Sequence, residues 1–166
     1  IVTAHLIVAV VIVQLLLYAT FVAGAPRATS ATGATWGATI LIALTLLQAG
    51  VGTQVRGDID DAVAAGIARL NALSTVGSLD LWHRNLAFIV LIVSTLVVLW
   101  LLSHRSPLVR WGLVILALVV GQIAIGVFMA YGALVAPAQV AHLTLASLLL
   151  GAETVLWLRS WRQPAE

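Results

Sequence analysis

Three of the four histidines in this 166-residue chain occupy equivalent places in successive apolar segments. His5, His83 and His142 each lie near the start of such a segment, followed after two residues by an aliphatic residue and then alanine. Two imidazoles at matched depth on facing helices can ligate one metal axially, and haem iron suits this geometry. The pattern therefore predicts a bis-histidine haem site at His83 and His142, with both residues as ligands of the iron.

The apolar segments between the histidine segments share a second pattern, Gln-x-x-x-Gly. It runs from Gln48 to Gly52 in one segment and from Gln122 to Gly126 in another. The repeating unit is a hairpin, in which a Gln-x-x-x-Gly helix precedes a histidine helix, and the chain holds two complete units after the histidine helix of an earlier one. Small residues beside the histidines would leave room for a macrocycle or for close helix approach: Gly50, Gly52, Gly126, Ala87 and Ala146.

The composition places these residues in a membrane. The chain is 62% hydrophobic and 8% charged, with a mean hydropathy of +1.13, whereas soluble domains carry about 25% charged residues. This excludes a soluble enzyme and a disordered tail. The absence of cysteine excludes disulfides, thiolate metal sites and cysteine redox chemistry. The small basic excess is not clustered, so it indicates membrane topology rather than nucleic-acid binding.

Uncharged runs and their Gly and Pro breaks predict five membrane-spanning helices, and hence an all-α polytopic membrane protein. We expect a four-helix transmembrane bundle over 36–158 and, before it, over 1–24, the last helix of a preceding pseudo-symmetric bundle. The predicted spans are 3–24, 36–55, 82–103, 110–131 and 138–158.

Arginine placement predicts the orientation of the bundle. One side receives most of the arginines, and the positive-inside rule assigns that side, with the tail 159–166, to the cytoplasm. The loop 56–81, which holds every aspartate, then lies outside. Within it, helical spacing from Asp58 to Leu73 predicts a short amphipathic helix at the outer interface.

The remaining polar residues allow more than one interpretation. Arg56 and Arg84 lie at outer helix ends, where they could bind haem propionates or simply extend to the interface. We expect the Glu153 side chain to extend to the cytoplasmic interface of the membrane or to pair with another group near it. A role in a proton path is the less favoured alternative. His104 is expected to be a solvated loop residue. A zinc site is less favoured, because no Cys and no cluster of His and acids supplies four ligands.

The ordered motifs resemble the haem A synthase family. They are Gly-Thr-Gln-Val-Arg at 52–56, Trp-His-Arg-Asn-Leu-Ala at 82–87, Gln-x-x-x-Gly at 122–126 and Ala-His-Leu at 141–143. The resemblance implies two four-helix halves, each with a histidine pair facing the outer leaflet. It also implies an oxidoreductase that converts haem O to haem A, oxidising a ring methyl to a formyl group, for use in cytochrome oxidase.

By this resemblance, residues 36–158 correspond to the C-terminal half, whose haem b is bound by His83 and His142. His5 corresponds to a substrate-haem ligand of the N-terminal half, and the second histidine and catalytic acid of that half would lie upstream of Ile1, which is not an initiator. No catalytic residue is therefore assigned within the chain. Many bacterial members carry a Cys pair in the outer loop, and this sequence has none.

The resemblance implies a multi-pass protein of the bacterial inner membrane, in contact with lipid. Haem O is the implied substrate, and haem O synthase or cytochrome oxidase assembly factors are possible partners. Two alternatives stay open at this point. One is a bis-histidine membrane cytochrome b that only transfers electrons, and the other is a cofactor-free accessory subunit of a respiratory complex.

Overall fold

Six helices make up the chain in this computed structural model, which describes residues 2–23, 32–132 and 134–161. In order they are α1 (Val2–Ala23), α2 (Thr32–Ala64), α3 (Arg69–Ala72), α4 (Ser78–Ser103), α5 (Val109–Tyr131) and α6 (Ala136–Trp161), with a 3₁₀ turn at Leu73–Thr75 after α3. The described residues contain no strand. The all-α prediction is confirmed.

Helices α2, α4, α5 and α6 are each long and apolar enough to cross a membrane. This confirms four of the five predicted spans. Helix α1 counts 22 residues, and its apolar part with described side chains, Val8–Phe21, is shorter.

The four long helices form a bundle in which each packs on two neighbours. Helix α2 contacts α4 and α6, and α5 also contacts α4 and α6, so α4 and α6 occupy opposite corners. The predicted hairpins, α2 with α4 and α5 with α6, are therefore packed pairs. Aliphatic and small side chains fill the centre of the bundle, among them Ala38, Leu41, Leu101, Ile115 and Leu156.

Helix α1 packs on the outside of this bundle, against α6. Near its end, the Phe21 ring lies 5.9 Å from the guanidinium carbon of Arg159, which also lies 5.4 Å from the Trp111 ring. Earlier in α1, Gln14 and Tyr18 line a groove between α1, α2 and α6. Most other side chains from Val8 to Thr20 are exposed, so α1 shares only one narrow face with the bundle.

The predicted interfacial helix over Asp58–Leu73 is wrong. Helix α2 continues without a break to Ala64, and the chain reverses at Gly66, whose φ of +92° favours glycine. Ile59, Val63 and Ile67, three of the apolar residues that suggested a separate helix, instead belong to a second small core, here called the cap, in which Val55, Ile59, Ala72 and Val76 are buried. The fourth, Leu70, is exposed. The cap joins the end of α2 to the segment that leads into α4.

Glycines let α2 approach α4 closely. A Cβ at Gly37 would lie 2.7 Å from a methyl carbon of Val97, and a Cβ at Gly33 would overlap the Trp100 ring. A Cβ at Gly50, on the same helix, would meet nothing within 4 Å. Without a side chain at Gly33 and Gly37, the two backbones pack at a distance that larger residues would not allow.

We expect Gly37→Leu to destabilise the bundle, because the added side chain would overlap Val97, and overpacking costs about 1–3 kcal/mol. Thermal unfolding of the detergent-solubilised protein measures the change. Gly50→Leu is the matched control and should leave the midpoint nearly unchanged. Equal losses in the two variants would contradict the close approach of α2 to α4.

Candidate functional site

The His83 imidazole on α4 fits into a space that Gly52 of α2 leaves open. A Cβ at Gly52 would lie 2.9 Å from the ring carbon Cε1 of His83 and 3.4 Å from Nδ1. Gln48, one turn earlier on α2, donates from Nε2 to the backbone oxygen of His83 over 2.9 Å, and the His83 ring interacts with the Gln48 backbone. The first Gln-x-x-x-Gly motif thus fixes both the depth of His83 and the room for its ring.

The second hairpin repeats the contact between glycine and histidine with more clearance. A Cβ at Gly126 of α5 would lie 3.6 Å from Cε1 of His142 on α6, which is ordinary van der Waals contact. The His142 ring interacts with the backbone of Gln122. In both motifs the glycine leaves room for the histidine ring, and the His83 ring lies closer to its glycine than the His142 ring does.

His83 and His142 project from opposite corners of the bundle and are close enough to interact electrostatically. Nδ1 of each ring is buried and has no hydrogen-bond partner among the described residues. The Oε1 atoms of Gln48 and Gln122 are likewise buried and unpaired within that part of the chain. Because unsatisfied buried polar atoms are costly, this concentration of four is the main chemical feature of the bundle.

Arg56 and Arg84 lie at the same end of the bundle as the two histidines. Arg56, one turn beyond Gly52, forms an ion pair with Asp60 at 2.7 Å and donates to Oε1 of Gln139 at the start of α6. Arg84 directly follows His83, pairs with Asp80 at 2.7 Å, and hydrogen-bonds to the Tyr131 side chain.

Both guanidiniums are therefore positively charged groups beside the histidine pair, already oriented by acidic partners one turn away. Both arginine side chains remain over 40% exposed, so they are also accessible to an anionic group.

Comparison with known proteins gives a family match. The model of the family COX15-CtaA, cytochrome oxidase assembly protein, matches residues 1–154. The chain belongs to this family. No curated protein and no solved structure matches the sequence significantly. The family is that of haem A synthase, so the resemblance seen in the four ordered motifs is confirmed.

Of the other two histidines, His104 lies away from this pair, directly after the end of α4. The side chain of His5 lies outside the described residues, so its assignment as a substrate-haem ligand stays a prediction. His104 is exposed, stacks on Trp100 with ring centroids 4.2 Å apart, and has Nδ1 2.9 Å from the Trp100 carbonyl oxygen. Within the described residues, no group of three His, Cys, Asp or Glu could hold a metal ion.

Glu153 does not extend to the membrane surface as expected. It is fully buried inside the bundle, where its Oε1 accepts a hydrogen bond of 2.8 Å from the Thr45 hydroxyl. Sequence reasoning missed Thr45, as it missed Gln139 and Tyr131 as partners of the two arginines. Thr45 precedes Gln48 by three residues and so shares its helix face, but a single threonine in an apolar helix is too ordinary a signal to identify a partner 108 residues away.

Proposed function

We propose that this chain provides the bis-histidine haem b site of a haem A synthase-type oxidoreductase, which converts haem O to haem A by oxidising a methyl group to a formyl group. The family supports a role in cytochrome oxidase assembly. The observation that carries the assignment of the site is the pair of half-buried imidazoles, His83 and His142, which lie on opposite corners of the bundle close enough to interact. Their Nδ1 atoms are buried and have no partner among the described residues. Unpaired buried polar atoms call for an explanation, and a group bound between the two imidazoles is the one proposed here.

The residues present fit a haem group. Haem iron needs only two ligands from the protein, and two imidazoles provide them. Gly52 and Gly126 keep the space beside each ring free of side chains. Haem supplies the redox chemistry when bound. The chain itself contributes the two ligands, the Gln48 bond that sets the depth of His83, and a dry apolar environment.

Arg56 and Arg84 complete the proposed site by binding the propionate groups. Guanidinium groups form strong paired hydrogen bonds with carboxylates, and both arginines lie at the histidine end of the bundle. Asp60 and Asp80 occupy part of each guanidinium, so propionate binding would share or replace these ion pairs. In this proposal the haem lies in the outer half of the membrane and the C-terminus faces the bacterial cytoplasm.

The substrate side of the reaction is proposed to involve α1. We propose that His5 belongs to the haem O site and that this site exchanges haem with the surrounding membrane lipid. Haem O synthase or an oxidase assembly factor would deliver or accept the haem.

The proposed activity is tested with the complete gene product, expressed in cells that make haem O and lack their own synthase. Extraction and chromatography of the haems should reveal haem A. Haem b bound without any haem A formed would favour a membrane cytochrome that only transfers electrons. Purified protein without haem would favour a cofactor-free accessory subunit.

We expect His83→Ala and His142→Ala each to abolish or sharply reduce haem retention, because no other described imidazole can reach the site. The absorbance spectrum of the reduced pyridine complex, normalised to protein, measures the loss. His104→Ala is the matched control and should retain the haem of the unaltered protein. A full haem complement in the double variant His83→Ala, His142→Ala would exclude this pair as ligands.

The two glycines should respond differently to the same substitution. Gly52→Ala would force the His83 ring to move, at a cost of about 1–3 kcal/mol, and should lower haem affinity several-fold. Gly126→Ala needs no such movement, since its added carbon would lie at 3.6 Å from the His142 ring, and should bind haem nearly normally. Titration of the haem-depleted proteins with haem gives both affinities. Equal losses would show that the tight and loose contacts do not differ in solution.

A further inference from the structure

Glu153 is the one acidic side chain that the described part of the chain buries completely. Its Oε1 accepts the Thr45 hydrogen bond, whereas its Oε2 is buried without a partner. Thr45 lies seven residues from Gly52 along α2, and Glu153 lies seven residues from Ser160 along α6, so each interval is about 10 Å of helix. The carboxyl group therefore lies deep in the bundle, between the histidine pair and the opposite end.

Within the part of the chain that the structure describes, no counter-ion pairs with Glu153. From α2 it meets Thr45, and α5 carries no Asp, Glu, Lys, Arg or His between Arg110 and Tyr131. On α6 the nearest ionisable groups are Arg159, one and a half turns away, and His142, three turns away in the other direction. On the described part of α1, the titratable side chain is Tyr18, which lines the same groove as Thr154. On α4, which lies opposite α6 in the bundle, the titratable side chain toward the histidine end is His83.

An isolated carboxylate is very costly in such an environment, whereas a neutral carboxylic acid costs much less. A single hydroxyl donor offsets only part of that cost for the charged form. A nearby positive charge would favour the carboxylate over the neutral acid. At separations of about 10–16 Å in a protein interior, one unit of charge alters the proton affinity of a carboxyl group roughly tenfold.

We propose that Glu153 and Thr45 form a proton-binding site whose occupancy follows the redox state of the haem. This proposal rests on the proposed haem at His83 and His142. If the haem took up one electron from a one-electron donor, it would lose one positive charge, and the proton affinity of the Glu153 carboxyl group would rise about tenfold. At a pH between the two proton affinities, up to about half of the Glu153 carboxylates would then each take one proton from a solvent hydronium ion. An O–H bond of hydronium breaks as the O–H bond of the carboxylic acid forms, and reoxidation of the haem would release the proton again.

Toward one end of the bundle, the Thr35 hydroxyl donates to Ser160 over 3.1 Å, two turns of α6 beyond Glu153. Toward the other end, about 10 Å of bundle separates Thr45 from the level of Gly52. The proton-binding site therefore communicates with the haem through charge rather than through a hydrogen bond.

Redox titration of the purified haem protein at a series of pH values tests this coupling. In the unaltered protein, the midpoint potential should fall across a pH window in a step that corresponds to a roughly tenfold change in proton affinity. Glu153→Gln keeps the size and the Thr45 contact but cannot bind the proton, and that step should disappear. Thr45→Val should keep the step and move its pH window upward, because the carboxylate loses its one donor.

Reduced-minus-oxidised infrared spectra provide a second measurement. A carboxylic acid C=O band should grow upon reduction, shift in Thr45→Val and vanish in Glu153→Gln. Ser94→Ala is the matched control, since Ser94 is a buried polar residue that bonds its own helix at the Val90 carbonyl, and it should change neither readout.

The outcomes separate the two proposals. A protein without haem overturns both of them. Haem present with the same pH step and the same infrared band in Glu153→Gln overturns only the proton-binding site.

Discussion

The hydrocarbon core of a membrane offers no water to polar groups, so each one must find a partner inside the protein. In this bundle the partners come mainly from α2. Gln48 donates to the backbone of His83 on α4, and Thr45 donates to Glu153 on α6. Both bonds lie on one side of α2 within a single turn of each other. They fix this helix against two neighbours at once, and the position of the histidine pair depends on that fixation.

Much of the fold is readable from the sequence because the membrane imposes a simple rule. Long uncharged runs must be helices, so the bounds of α4 and α5 differ from the predicted spans by only a few residues. The exception is α2, predicted to end at Val55 and observed to end at Ala64. Charged residues ended the predicted span, but charge stops membrane insertion and not helical hydrogen bonding. The helix ends near Gly66, where the backbone geometry changes.

The candidate site was predictable in its members and not in its contacts. His83, His142, Gln48 and Gln122 emerged from a repeat, because the same local pattern occurs twice. The partners of Arg56 and Arg84 at four-residue spacing, Asp60 and Asp80, carry a helical signal that was available. Gln139 and Thr45 carry none. The bond of Gln139 to Arg56 spans 83 positions in the sequence, and the bond of Thr45 to Glu153 spans 108. Only the packing of whole helices brings these partners together.

Helix α2 has one further property that follows from its length. Its 33 residues span about 50 Å, well beyond a hydrocarbon layer of about 30 Å. The projecting end is part of the cap through Val55 and Ile59, while the same unbroken rod carries Gly52, Gln48 and Thr45 below. A stiff rod transmits displacement along its axis. A displacement of the cap along the axis of α2 would therefore also displace Gly52 and change the clearance around the His83 ring.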